Sequence, residues 1–478
     1  MLYEEIQFVY RINSWLFLRG MRSIIFKKRE WKKVKYNFPE NLYTDVRIEK
    51  RKSACFVLED EDVKTNSEVE TITAMIRVFD GKMWYTSQTD DIENIQDKID
   101  NLATLAKPNP KILKNPIVKN LGECKDSVLV FTGKRDLRNL TAEDRENIVR
   151  SYYKNCEKKS IKEIKNYGVG FDYDFAEKSF YSSKGAEIIQ DYQRCHLVVG
   201  YEVNVNDVPY GIFKQIHEFD FDKLWNRENE VFEEFDRGFD FAKNAVDVVP
   251  GEYTCVLSPS VTSVFTHESF GHKSEADFML NDKALQEEWP MGKKVAFEKV
   301  SIVDEGDSFN HGYCPYDDEG NKKQKVYLIK DGILTGRLHD AKSAATLKEK
   351  PTGNARAQNA NFTPIVRMTN TYIENGTEDP DEIIKGVKDG IYIYDWYYGT
   401  GQSIFTIQPI KCYKIKDGKL AEPLRVNVVT GNVFKTLFDI DAVGDDLEFF
   451  SGTCGKDVQR VPTGTGGPTI RVKTLTIN

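Results

Sequence analysis

The chain has 478 residues, 40% hydrophobic, 30% charged and 12% aromatic, with a net charge of −8. That length holds two or three domains with a sizeable core, and the acidic balance argues against general nucleic-acid binding. No run approaches the ~18–20 apolar residues of a membrane span, and Ser14–Leu18 is too short an apolar core for a secretory signal. The 8 cysteines are scattered without C-x-x-C pairs, which predicts reduced thiols in a cytoplasmic protein rather than a disulfide frame.

Residues 1–42 read as an N-terminal extension. Arg19–Lys35 carries eight Lys/Arg against Glu30, a solvated arm or an amphipathic one for a partner or anionic surface, the first being favoured. From Tyr43 the pattern alternates. Asp45–Glu49, Ser53–Leu58 and Thr71–Phe79 are predicted strands, with Asp80-Gly81 as a hairpin turn. Ile92–Ala106 is helical and stops before Pro108. Ser127–Thr132 is a strand, and Thr141 caps a helix running to Asn155. Ile161–Gly168, Lys178–Gly185 and Cys195–Val205 are further strands, and a long helix spans about 221–245. Strands and helices mix without a βαβ rhythm. The fold class is therefore α+β: an N-terminal mixed domain with an antiparallel sheet over 43–247, and a strand-rich C-terminal domain over 248–478.

The C-terminal half opens with a buried strand, Thr254–Ser258, closed by Pro259. Ser260 is the expected N-cap of a helix whose apolar face includes Val261, Val264 and Phe265. Next come strands at Lys325–Ile329 and Ile333–Leu338, a helix at Ala341–Leu347, and strands at Val366–Glu374 and Tyr392–Asp395. A glycine-containing loop is expected at Gly399–Gly401, and a strand at Ile404–Ile415. Ser451–Lys456 and Pro462–Pro468 look like glycine-rich turns before a final strand, Thr469–Ile477.

The chemistry centres on His267-Glu268-Ser269-Phe270-Gly271-His272. Two imidazoles can hold a zinc ion, and the adjacent carboxylate can take a proton from its water. The better-known spacing is H-E-x-x-H, with one residue fewer. On a regular α-helix, positions i and i+5 lie about 140° apart, so both rings can face one ion only if the helix is distorted. A π-bulge or kink is predicted, with Gly271 the natural place for it. Catalytic zinc takes three protein ligands and keeps one open position. Glu275, Asp277, Cys314 beside His311, and the glycine-flanked Cys454 are all candidates for the third, and spacing alone does not rank them.

From about Val248 onward the chain resembles the TldD/PmbA family of zinc metallopeptidases. The resemblance is carried by the His267–His272 motif with Glu275 and Asp277; Asp317-Asp-Glu-Gly320; Pro351-Thr-Gly-Asn354 with Arg356; Arg367–Tyr372; and Cys454-Gly-Lys456, Val461-Pro462, Gly464 and Gly467-Pro-Thr469. The N-terminal half shares only its general character, through Asp45-Val-Arg-Ile-Glu49.

The resemblance implies zinc held by His267, His272 and Cys454, with Glu268 as general base. Glu275 and Asp277 are then candidate partners for the histidine N–H groups. It also implies a small or unfolded peptide substrate bound in extended form, and a homodimer or a heterodimer with a paralogue. The alternative is a catalytically silent, zinc-stabilised scaffold or regulatory partner of an active subunit. For Asn354, Arg356 and Asn370 a purely structural role is at least as well supported as substrate binding. The stretch from Trp396 to Gln402 departs from the family's more glycine-rich loop.

Overall fold

The computed structural model describes residues 35–478 apart from 134–135, 158–160, 288, 290 and 402. Most of the basic extension expected over 1–42 therefore lies outside the described residues. Among those described, no helix is long and apolar enough to cross a membrane.

In the N-terminal half, β1 (Tyr43–Glu59), β2 (Asp62–Phe79) and β3 (Trp84–Thr89) form an antiparallel meander. β4 (Lys125–Val128), β5 (Ile164–Ser182), β6 (Glu187–Val205) and β7 (Val208–Glu218) complete the sheet. The order is β3-β2-β1-β5-β6, with β7 antiparallel and β4 parallel to β6. Several expected strands fuse: Asp45–Glu49 and Ser53–Leu58 are parts of one β1, and Ile164–Gly168 and Lys178–Ser182 are the two ends of β5. The expected strand at 127–132 ends early, because the Asp191 carboxylate gathers the backbone N–H groups of Val130, Phe131 and Thr132 into a turn. β7 was not expected; it carries Pro209, which an edge strand tolerates, and the Asn206-Asp207 turn before it has two left-handed residues.

Besides a five-residue helix at Pro116–Asn120, three longer helices serve this half among the described residues. Ile95–Leu105 buries Ile95, Ile99 and Leu102. Ala142–Cys156 starts at a Thr141–Asp144 capping box, worth about 1 kcal/mol. The third helix begins at Glu228, later than expected, after a short 3-10 turn at Phe221–Leu224, and runs to Asn244.

The C-terminal strands begin with β8 (Val246–Asp247), β9 (Gly251–Leu257), β10 (Ile302–Glu305), β11 (Val326–Lys330) and β12 (Ile333–Leu334). β13 (Ala355–Arg356), β14 (Ile365–Val366), β15 (Asn370–Ile373), β16 (Asp389–Gly401) and β17 (Ile404–Lys416) follow. The last are β18 (Lys419–Arg425), β19 (Val429–Asn432), β20 (Ile440–Val443), β21 (Glu448–Lys456), β22 (Gln459–Gly467) and β23 (Ile470–Ile477). One sheet has the order β12-β11-β10-β15-β22-β21, leaving β21 at its edge. The other runs β16-β9-β23-β19-β17-β18-β8, and β16 also pairs with β17, so its path closes on itself.

A short helix, Pro259–Phe265, lies in the core with Val261, Val264 and Phe265 buried among Leu257, Ile391 and Phe405. Burial of each such side chain is worth about 1.5–3 kcal/mol.

The two halves meet in a buried seam of charges. Asp318 faces Lys178 at 3.1 Å and Arg47 at 3.6 Å, while Arg77 joins Asp45 at 2.7 Å and Glu319 at 3.7 Å. The Asp45–Glu49 and Asp317–Gly320 motifs thus join the N-terminal sheet to a turn of the C-terminal half.

Candidate metal centre

The site starts from a strand that ends at a proline. Pro cannot donate a backbone hydrogen bond and fits the first helical turn, so Pro259 takes that position and Ser258 becomes the N-cap, its Oγ accepting from Val261 N at 3.2 Å. The cap lies two residues before the Ser260 expected. After Phe265 the helix widens into a π-turn over Thr266–Gly271, in which the His272 N–H reaches the His267 carbonyl. The wide turn carries residues five apart onto one side. The two imidazoles come to 5.0 Å between centroids, at 82° to each other. The distortion demanded by the extra residue in the motif is present where it was expected.

Gly271 contributes space: a Cβ there would stand 2.1 Å from Met368 Sδ. A second close approach comes from β16, where the expected loop at Gly399–Gly401 is a strand end laid against the motif. A Cβ on Gly399 would meet Glu268 Cγ at 3.1 Å, and one on Gly401 the Glu268 carbonyl oxygen at 2.7 Å.

Cys454 reaches the same point from the far end of the chain. It lies on edge strand β21, not in the turn expected, and its Sγ is 3.4 Å from His272 Nε2. The ligand atoms of His267, His272 and Cys454 lie within 4.8 Å of one another, and among the described residues no other His, Cys, Asp or Glu group converges in this way. In a tetrahedral zinc site, bonds of roughly 2.0 and 2.3 Å place N and S about 3.6 Å apart, so the cysteine and His272 already have the required separation.

Electrostatics in the metal-free chain favour the metal-binding form of the sulfur and a protonated His272, whose proton a metal ion must displace. Burial alone would raise the Cys454 thiol, but His267 and His272 outweigh it and hold the group well below the usual thiol range. The sulfur is therefore a thiolate, the form that binds zinc. Burial opposes charge on His272, yet its bonds to Cys454 and Glu275 raise it well above the usual imidazole range. Glu268, whose Oε2 is 3.9 Å from His272 Nε2, is pushed up by burial, partly offset by the two histidines. Imidazole, imidazole and thiolate form a zinc-type donor set rather than a magnesium or calcium one.

Glu275 is fully buried. It accepts from His272 Nδ1 at 3.0 Å and sits 3.3 Å from Lys456 Nζ, an arrangement that fixes the ring and leaves Nε2 for the ion. Asp277 binds Lys456 at 2.7 and 2.8 Å rather than a histidine. Lys456 was missed in the sequence, yet a strand reading of 448–456 places it on the Cys454 side by its spacing of two. His267 has no equivalent orienting group: its Nδ1 is buried without a partner among the described residues.

Other candidates fall outside the centre. Cys314 donates to the Tyr316 carbonyl, and His311 packs on His217. Asn354 bridges Asp304 and the Arg367 carbonyl, in a knot where Asp304 also meets Lys323 at 2.8 Å. Arg356 donates to the carbonyls of Met368 and Pro462, and Asn370 holds Gly312 N and Ser308. All three spend their polar groups inside the fold.

Residues 250–478 match the PmbA/TldA metallopeptidase C-terminal domain, and residues 44–106 match domain 1 of that family. A metalloprotease of Methanocaldococcus jannaschii is 31% identical over 439 residues, covering 90% of this chain and 95% of that protein. A zinc metalloprotease TldD homolog of Saccharolobus solfataricus is 32% identical over 329 residues, 66% of this chain and 71% of that one. Among solved structures, TldE of Thermococcus kodakarensis shares the fold at a TM-score of 0.72, with 16% identity over 91% of this chain and 96% of that chain.

Proposed function

Because this chain belongs to the PmbA/TldD metallopeptidase family, we propose that it is a zinc-dependent peptidase acting on small or unfolded peptides. The observation that carries the reading is the meeting of His267, His272 and Cys454 within 4.8 Å beside a carboxylate. His267, His272 and Cys454 hold the metal, and Glu268 is the general base.

A zinc ion held by His267, His272 and Cys454 would supply Lewis acidity toward a carbonyl and lower the pKa of a water. Glu268 takes the proton from the attacking water and returns it to the leaving amine. Glu275 keeps His272 in one tautomer, and the Gly399–Gly401 strand end fixes the turn that carries Glu268. The open side of β21 gives a peptide backbone a line of hydrogen-bonding groups running past the ligand sulfur. Recognition through a strand edge reads backbone first and side chains at alternate pockets second.

The test is Glu268→Gln in the zinc-loaded protein. Peptide hydrolysis should fall by about 10²–10⁴-fold, with metal content and unfolding temperature unchanged. Undiminished hydrolysis by the variant removes Glu268 from the mechanism. Absence of hydrolysis in the unaltered protein, with metal bound, turns the assignment toward the silent scaffold.

A further inference from the structure

One large cavity is not used by the zinc chemistry. It has a volume of about 420 Å³ and opens between β7, the Val130–Phe131 turn, the segment around Phe309 and the start of β21. Its aromatic walls are in mutual contact: Phe131 stacks on Phe219 at 5.8 Å and meets Phe309 edge-on at 6.1 Å. Phe309 is 56% exposed and Phe449 36%, so two large apolar rings stand at the mouth facing solvent. Exposed aromatics ringing a concavity are a feature of ligand sites.

Behind the aromatic wall lies His217, whose ring is packed on His196 and His311. His217 gives its Nε2–H to Gln215 Oε1 at 3.3 Å, which leaves the lone pair on Nδ1. That Nδ1 is buried and has no partner among the described residues. Burial, with His196 and His311 close by, holds the ring well below the usual imidazole range, so it stays neutral.

The cavity is in register with the metal centre. Phe450, in its lining, lies four residues before Cys454 on β21, and residues four apart on a strand share a face. The pairing agrees: Phe450 opposes Thr465, whose hydroxyl reaches Ser263 of the helix leading to His267, at 3.2 Å. Between them Gly452 has no side chain, and a Cβ there would meet nothing closer than 3.6 Å. Four residues of strand span about 13 Å.

We infer that this cavity is a subsite for an aromatic side chain of the extended peptide, about four residues along from the bond that is cut. The ring packs against Phe309 and Phe449 at the mouth, over the floor made by the mutually packed Phe131 and Phe219. The inference rests on the peptidase reading for its register, but the cavity's preference is measurable without turnover.

The experiment uses zinc-loaded Glu268→Gln protein and labelled ten-residue peptides that differ only in tyrosine, phenylalanine or alanine at one position. The tyrosine and phenylalanine peptides should each bind about 10-fold more tightly than the alanine one. Adding Phe309→Ala, at the exposed rim, should bring the tyrosine and alanine affinities together. Equal affinity for tyrosine and alanine peptides, tight or undetectable, overturns the subsite. So does a preference that survives Phe309→Ala. In the unaltered enzyme, shifting the tyrosine by one residue should shift the cut bond by one, read by mass spectrometry; a cut that stays put also overturns it. If nothing is cut while the binding preference holds, the peptidase reading fails and the subsite stands.

Discussion

Two buried polar clusters, both built from residues far apart in the chain, differ in what their atoms face. In the seam between the halves, signs alternate: Asp45, Arg77 and Glu319 follow one another, and Lys178 and Arg47 flank Asp318. Charge there is neutralised within the protein. At the metal centre two imidazoles and the Cys454 sulfur converge on one point instead, and the proton that His272 holds in the metal-free chain is one a metal ion would displace. Electron-rich atoms that face one another are unfavourable in a dry interior unless a cation or protons lie between them. A polar motif is therefore a binding site when its atoms share an unfilled point, and a joint when they satisfy one another.

Exchanging the damage tests this contrast most strongly. Asp318→Ala strands two buried cations and the Ala357 N–H that donates at 2.8 Å. Loss of one partner from such a buried set costs about 3–5 kcal/mol, so denaturant titration should show a large drop in stability. Cys454→Ser should do the reverse, losing zinc by elemental analysis while keeping most of the metal-free stability. If Asp318→Ala is as stable as the parent, or Cys454→Ser keeps full zinc, the two clusters are not different in kind.

A finer cut goes inside the metal centre. Glu275 orients His272, while His267 has no such carboxylate. Glu275→Gln keeps an acceptor for the Nδ1–H and removes the charge. Zinc affinity should weaken by about 10–100-fold, measured by competition with a chromogenic chelator. An unchanged affinity makes Glu275 a partner of Lys456 alone.

The motif and its distortion were legible because both follow from local geometry. Two histidines five apart cannot share an ion on a regular helix, so the π-turn was implied by the spacing. Cys454 was harder, since its approach depends on closing 182 residues of chain. Its setting was misread as a turn because of the glycines. The β21–β22 turn is in fact Asp457-Val458, both left-handed, while the glycines lie in strands where neighbours crowd. A Cβ on Gly467 would stand 2.4 Å from Thr262, and one on Gly464 2.1 Å from Asn370. Glycine for close packing and glycine for turning look identical in a sequence. Asn354, Arg356 and Asn370 show the converse: their polar side chains look ready for substrate, and only the folded chain reveals the backbone and side-chain groups that occupy them.

The smallest effect concerns pH, which should move the two clusters differently. Glu319 is pushed up to about 8 by burial, with the Asp340 charge adding and Arg77 opposing. Asp317 beside it is raised to about 7, again mainly by burial. A carboxyl raised on folding binds its proton more tightly in the folded state, so its contribution is full below the ordinary carboxylate range and is lost as pH rises through the folded value. The seam should weaken between pH 6 and pH 9, a fall of about 2–4 °C in Tm for each kcal/mol lost, and Glu319→Gln should flatten that slope. Zinc content should not fall over the same range, because the ligands bind metal in their deprotonated forms. A flat Tm in the parent protein means that Glu319 is already ionised at pH 6, with Arg77 at 3.7 Å outweighing the cost of burial.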